Sequence, residues 1–212
     1  MNPSNPILQL LAFSAIVLAW SLVHPLDFWV WLFEISAGIV GLAVLAATYR
    51  RFPFSRLVYL LAGIHFAVLA IAARYTYAEM PLFNWLRDAL GLARNHYDRV
   101  GHFFQGFVPA LITREILIRR TKLKSGKLLG FLCISICLAF SAFWELLEWW
   151  IAVAFYRETA AAWLGMQGDP WDAQWDMFMA LCGATAAIAF FSGVHDRSMA
   201  EVAREPSRHR EA

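Results

Sequence analysis

Six apolar runs, each close to the length of a membrane-crossing helix, account for most of this chain. They cover about residues 7–23, 28–47, 57–73, 100–118, 128–153 and 177–194. A bilayer's hydrocarbon core is about 30 Å thick and takes about 20 apolar helical residues to cross. The expected fold is therefore an all-α, polytopic transmembrane helical bundle of about six spans, with residues 1–194 forming a single transmembrane domain. Composition agrees: 60% of the 212 residues are hydrophobic and only 16% are charged, whereas soluble domains are less apolar and more charged. The first run has no Lys or Arg before its apolar core, so it lacks the basic start of a cleaved signal and is expected to be retained.

Charge placement sets the expected orientation. With both termini cytoplasmic, the inner segments hold Arg50, Arg51, Arg56, Arg114, Arg119, Arg120, Lys122, Lys124, Lys127, Arg197, Arg204, Arg208 and Arg210. The outer segments keep Arg74, Arg87, Arg94, Arg99 and Arg157. An inward excess of that size predicts N-in and C-in. The basic residues are spread over loops and the net charge is only +2, which argues against a nucleic-acid partner. The bilayer is the expected partner.

Between the third and fourth runs, residues 81–94 carry Leu82, Phe83, Leu86, Leu90 and Ala93 at helical spacing, with Arg87, Asp88 and Arg94 among them. This pattern predicts an amphipathic helix on the outer membrane surface, either a lid or a plain connector. Residues 195–212 are polar and charged and predict a disordered cytoplasmic tail. Cys133, Cys137 and Cys182 all lie in apolar runs and suit packing better than a disulfide framework.

The residues that suggest chemistry are three pairs at helical spacing: Asp98 with His102, Glu145 with Glu148, and Asp172 with Asp176. Residues three or four apart share one helix face. Threading the chain through a membrane brings all three pairs to the outer side at similar depth. Ionisable groups there are costly and suggest a functional site. Five carboxylates and an imidazole cannot all keep their charges in a low-dielectric pocket without protons or cations. A divalent metal is one solution, with Asp98, His102, Glu145 and Asp176 as the expected ligands: oxygen donors suit Mg, Ca or Mn, and the imidazole admits Zn or Fe. Metal-free acid–base chemistry by the same six residues is the other. Glu34, His65 and Gln105 can join from neighbouring helices, and Arg74 can neutralise Glu34. The inner ends of these helices show no matching acidic cluster.

Each residue also has a structural explanation. Asp98 can cap a helix, the glutamates can pair with Arg99 or Arg157, and Asp169 before Pro170 marks a turn.

The stretches HYDRVGHFFQG at 96–106, FWELLEWW at 143–150 and GDPWDAQWDM at 168–177 resemble the YjdF-like bacterial inner-membrane proteins, a family without an assigned function. The resemblance covers nearly all of the chain up to Val194 and implies a multi-pass protein of the bacterial inner membrane. A looser similarity is to VanZ-like membrane proteins, through Asp98, His102, Phe103, Glu145 and Asp176. It implies envelope or glycopeptide-related biology. Three functions stay open: an enzyme acting on an outer-leaflet envelope or lipid-linked substrate, a proton-coupled transporter, or a non-catalytic protein with a structural cation site. No P-loop, serine nucleophile elbow or His-Glu-x-x-His motif is present.

Overall fold

The computed structural model describes residues 5–155 and 166–208, and its regular elements are helices. Among the described residues seven α-helices follow one another: α1 (Pro6–Leu22), α2 (Phe28–Thr48), α3 (Arg56–Tyr75), α4 (Pro81–Leu90), α5 (Tyr97–Arg120), α6 (Lys127–Phe155) and α7 (Asp172–Arg208). A short 3-10 turn, Met166–Gly168, precedes α7.

Local chemistry sets the helix starts. Asn5 Oδ1 accepts from the Ile7 amide at the head of α1. Asp27 Oδ1 accepts from the Trp29 and Val30 amides at the head of α2. Both side chains satisfy amides that have no partner inside the helix. Helix α4 ends at Gly91, whose left-handed backbone (φ 63°) suits a residue without a Cβ.

Four helical segments are long and apolar enough to cross a membrane: Phe28–Thr48, Arg56–Tyr75, Lys127–Phe155 and Asp172–Val202. Helix α1 is apolar and shorter. Helix α5 is long enough at 24 residues, but its charges, grouped towards its two ends, keep its mean hydropathy low. Several of its polar groups are turned into the bundle: Asp98, His102, Arg114 and Glu115 are buried, while Arg119 and Arg120 in the last turn are exposed. The protein is thus a polytopic helical membrane protein, with exposed Phe, Leu, Ile and Trp side chains over its outside.

The helices form two groups. Helix α3 packs on α1 and α2, and α5 packs on α6 and α7. Contacts between α3 and α5 join the groups, and the α5–α7 interface is the most extensive in the molecule. Small residues explain that interface. A Cβ on Gly106 would collide with the Ala180 carbonyl, and one on Gly183 would collide with the Phe103 carbonyl. Ala180, Ala184 and Ala187 are fully buried along the same seam. Backbones that approach this closely are the signature of small-residue packing in membranes. His102 lies one turn from Gly106, and Asp176 one turn from Ala180. The glycine contact therefore fixes how near the histidine and the aspartate come.

The carboxyl-terminal segment differs from expectation. Residues 195–212 suggested a disordered tail, yet α7 continues to Arg208. His195 is fully buried, and the Leu57 amide donates to Ser198 Oγ at 3.2 Å. Polar contacts hold this stretch where apolar content alone would not. Residues 209–212 lie outside the described residues.

Candidate functional site

Asp98 enters in the first turn of α5, past the N-cap position, which His96 occupies without a side-chain cap hydrogen bond, so Asp98 is not the cap residue. His102 follows one turn deeper. Asp172 and Asp176 occupy the first turns of α7, and Glu145 and Glu148 lie in the last third of α6. Asp98, His102 and Asp176 are 2%, 7% and 4% exposed, and one ligand atom from each lies within 4.8 Å of the others.

The imidazole is the centre of this group. His102 Nδ1 sits 2.7 Å from Gln105 Oε1. That oxygen can only accept, so Nδ1 carries a hydrogen and donates it. The other nitrogen, Nε2, faces Asp98 Oδ1 at 3.3 Å and Asp176 Oδ2 at 3.7 Å. A neutral ring would turn its lone pair towards two carboxylates. The geometry calls for positive charge at that spot, as a proton on Nε2 or as a metal ion between the three groups. Ligands held about 2.0–2.2 Å from a metal lie about 3–3.5 Å from each other, close to the spacing found here. A histidine ligand commonly donates its second N–H to an outer oxygen, and Gln105 supplies that oxygen.

Two arginines hold the remaining carboxylate oxygens. Arg99 pairs with Asp98 Oδ2 (3.2 Å), Asp172 Oδ1 (2.9 Å) and Asp169 Oδ2 (3.3 Å), and with Asp176 Oδ1. Arg94 pairs with Asp169 Oδ2 (3.0 Å) and Asp172 Oδ1 (2.9 Å). Asp98 and Asp176 thus each turn one oxygen to Arg99 and the other to His102. Asp172, one turn above Asp176, serves the arginines and stands outside the close triad. Asp169 also makes its turn, accepting from the Trp171 amide through Oδ1. His96, just before α5, is held below the usual histidine range by burial and by Arg94 and Arg99. It adds no cation near neutral pH.

Counted formally, the four carboxyl groups of Asp98, Asp169, Asp172 and Asp176 face the two guanidiniums of Arg94 and Arg99 and the His102 imidazole, before the glutamates are counted. Glu145 Oε1 is 4.0 Å from His102 Nδ1 and has no hydrogen-bond partner among the described residues. Glu148 accepts from Trp144 Nε1 at 2.8 Å. Glu34 on α2 lies within electrostatic reach of Glu148, Asp98 and His102. Arg74 does not serve Glu34: it donates to the Trp20 carbonyl at 2.5 Å and stacks over the Trp20 ring. Arg99 meets aspartates rather than Glu145 or Glu148, and Arg157 lies outside the described residues. His65 stacks beside Phe104 and, like Glu34, lies within electrostatic reach of His102.

Arg94, expected in the surface helix, and Arg99, expected to pair with a glutamate, are thus structural partners of the aspartates. Asn95 is a further unforeseen member. Fully buried, it donates from Nδ2 to Asn84 Oδ1 and the Met80 carbonyl, accepts from the Tyr97 amide, and exchanges two hydrogen bonds with Gln167. The sequence signal for it was its place at the head of the most charged motif.

The opposite ends of α5 and α7, where the sequence shows no matching acidic cluster, hold a mixed ionic network instead. Glu115 is fully buried and accepts from the Ser55 amide (2.9 Å), Ser55 Oγ (2.7 Å) and Arg119 (2.5 Å). His195 Nε2 meets its second oxygen at 3.0 Å. Arg114 reaches His195 Nδ1 at 3.3 Å and Asp196 at 2.7 Å. The carboxylates of Glu115 and Asp196 are matched by Arg114 and Arg119. This network ties the head of α3 to the far ends of α5 and α7.

Comparison with known proteins matches this architecture at the level of sequence. Residues 6–197 match a family described as Predicted membrane protein (DUF2238). The chain is 42% identical over 184 residues to the inner membrane protein YjdF of Escherichia coli strain K12, covering 87% of this chain and 88% of that protein. No solved structure matches. The YjdF-like resemblance of the three motifs is therefore shown, while the VanZ-like outline gains no support. The chain belongs to the DUF2238 family of predicted membrane proteins and is, like its relative, a multi-pass protein of the inner membrane.

Proposed function

We propose that the Asp98 cluster is an outward-facing divalent-metal site and that the protein uses it as an enzyme on a headgroup or lipid-linked substrate of the outer leaflet. The observation that carries this reading is His102: its Nδ1 is engaged by Gln105 while its Nε2 points between two carboxylates. Asp98, His102 and Asp176 would hold the ion, and Arg99 would fix the two aspartates in place. Charge supports it too, since one divalent cation with Arg94 and Arg99 balances the four aspartates. A metal in such a site supplies a Lewis acid and a water of lowered pKa. Glu145, with an oxygen free of hydrogen bonds beside His102, is placed to take up or release a proton. Glu148, anchored by Trp144, is its neighbour one turn on.

Transport is the weaker reading. Below His102, α5 buries Phe107, Val108, Ala110 and Leu111 before Glu115 is reached, and Phe107 packs edge-on against Phe191 of α7. That apolar layer separates the two ionic clusters by about 20 Å at about 1.5 Å per residue.

The test is the metal content of detergent-purified protein, native against Asp176→Ala and Glu145→Ala, each checked for a monodisperse elution profile. Near-stoichiometric metal in the native chain, lost in Asp176→Ala and reduced in Glu145→Ala, is the expected result. No metal in the native chain after loading with Zn, Mn and Mg would overturn the metal reading. Metal whose removal unfolds the protein would assign the ion a structural role instead.

A further inference from the structure

Helix α4 stands apart from the bundle. None of its residues is fully buried, and Leu82, Trp85 and Leu90 are 53%, 63% and 66% exposed. Its inner side is also apolar: Phe83 packs edge-on against Tyr97 at the head of α5. The helix therefore has two apolar sides, of which the bundle covers one. Of the apolar residues expected at helical spacing, Leu82, Phe83, Leu86, Leu90 and Ala93, the first four lie on the helix and divide between its two sides, and Ala93 lies beyond its end at Gly91.

The uncovered side continues an existing surface. At the same end of the molecule, α2 exposes Phe28 and Trp29, α6 exposes Trp149 and Trp150, and the head of α7 exposes Trp171 and Trp175. Tryptophans on lipid-facing helices collect at the headgroup level. Trp85 adds one more aromatic to that belt, and Leu82 and Leu90 flank it. Arg87 and Asp88 pair with each other at 2.9 Å, and Asp88 remains exposed, giving the helix a polar edge.

We infer that α4 is seated in the lipid of the leaflet beside the Asp98 cluster, with Leu82, Trp85 and Leu90 in the interface and Asp88 in water. The occupant of its open face is the bilayer itself. The consequence reaches the cluster beside the Phe83–Tyr97 contact: Asn84 on α4 accepts from Asn95, and Asn95 caps the Tyr97 amide one residue before Asp98. The depth of α4 in the lipid thereby sets the position of the first turn of α5. This inference does not depend on a metal.

Trp85→Cys and Asp88→Cys, each reconstituted in phospholipid vesicles, are reacted with a water-soluble and with a lipid-soluble maleimide. Adducts are read peptide by peptide, so the native Cys133, Cys137 and Cys182 stay in place. The water-soluble reagent is expected to modify position 88 at least tenfold faster than position 85, and the lipid-soluble reagent to reverse that order. Equal rates with both reagents would overturn the seat in lipid. Slow reaction of position 85 with both would assign the face to a protein partner and would overturn it equally. In Asn84→Ala, the 85/88 contrast should persist while amide exchange in the first turn of α5 quickens. Unchanged exchange there would sever the link to Asn95.

Discussion

The two ends of the α5–α7 pair hold buried ionic clusters built from similar residues on opposite principles. At the Glu115 end, carboxylates and guanidiniums match, and each oxygen of Glu115 has donors. At the Asp98 end, carboxylates outnumber arginines, His102 turns a nitrogen towards two of them, and Glu145 leaves an oxygen unbonded. A balanced buried network holds helices together and asks for nothing more. A surplus of buried carboxylates is expensive unless a cation or proton compensates it. That difference is what the proposed reading rests on, a clamp at one end and a binding site at the other.

The largest expected effect removes both clusters together. Gly183→Leu places a side chain against the Phe103 carbonyl and should force α7 off α5, with aggregation on gel filtration and loss of bound metal. A folded, metal-loaded variant would show that the glycine seam does not set the site. Next comes Glu115→Ala, which strands His195, Ser55 and Arg119. Removing one member of a buried ion pair costs about 3–5 kcal/mol, so the detergent melting temperature should fall steeply. Metal affinity, measured on the remaining folded fraction, should hold. Glu145→Gln should do the opposite: it relieves carboxylate crowding, so stability is kept or raised, while metal affinity drops about 10–100-fold, as for partners that support a metal site. A melting temperature lowered as far as in Glu115→Ala would erase the contrast between the ends. Asp196→Asn should matter least. Asp196 is 51% exposed, and Asn keeps an oxygen for the buried Arg114 guanidinium to donate to, so a melting shift well below that of Glu115→Ala is expected.

The helices were legible because lipid leaves a chain few options: an apolar run of spanning length folds as a helix. The Asp98 cluster was legible in part for the same reason, since charge beside apolar runs is conspicuous. Asp98, His102 and Asp176 meet; Glu145 approaches; Asp172 turns to the arginines and Glu148 to Trp144. Arg94 and Arg99 were less visible because a loop arginine reads as a topology signal, and nothing local shows it folding inward. The Glu115 network was hidden because its members are far apart in the chain. Ser55 and His195 lie 60 and 80 residues from Glu115, and each alone resembles an ordinary interfacial polar group. The same distance hid the order in residues 195–208, whose composition is that of a free tail until His195 finds Glu115.

The most direct test of the contrast is the thermal shift produced by adding Mn or Zn to metal-stripped protein in detergent. It is measured on the native chain, on Asp98→Asn and Asp176→Asn, and on Glu115→Gln. A ligand at free concentration L that binds only the folded state stabilises it by RT ln(1 + L/Kd) and so raises its melting temperature. The native chain and Glu115→Gln should both show a rise, the latter from a lower starting point, and the two aspartate variants should show none. No rise in the native chain, or a rise that survives in both aspartate variants, would contradict the assignment of the Asp98 cluster as the cation site.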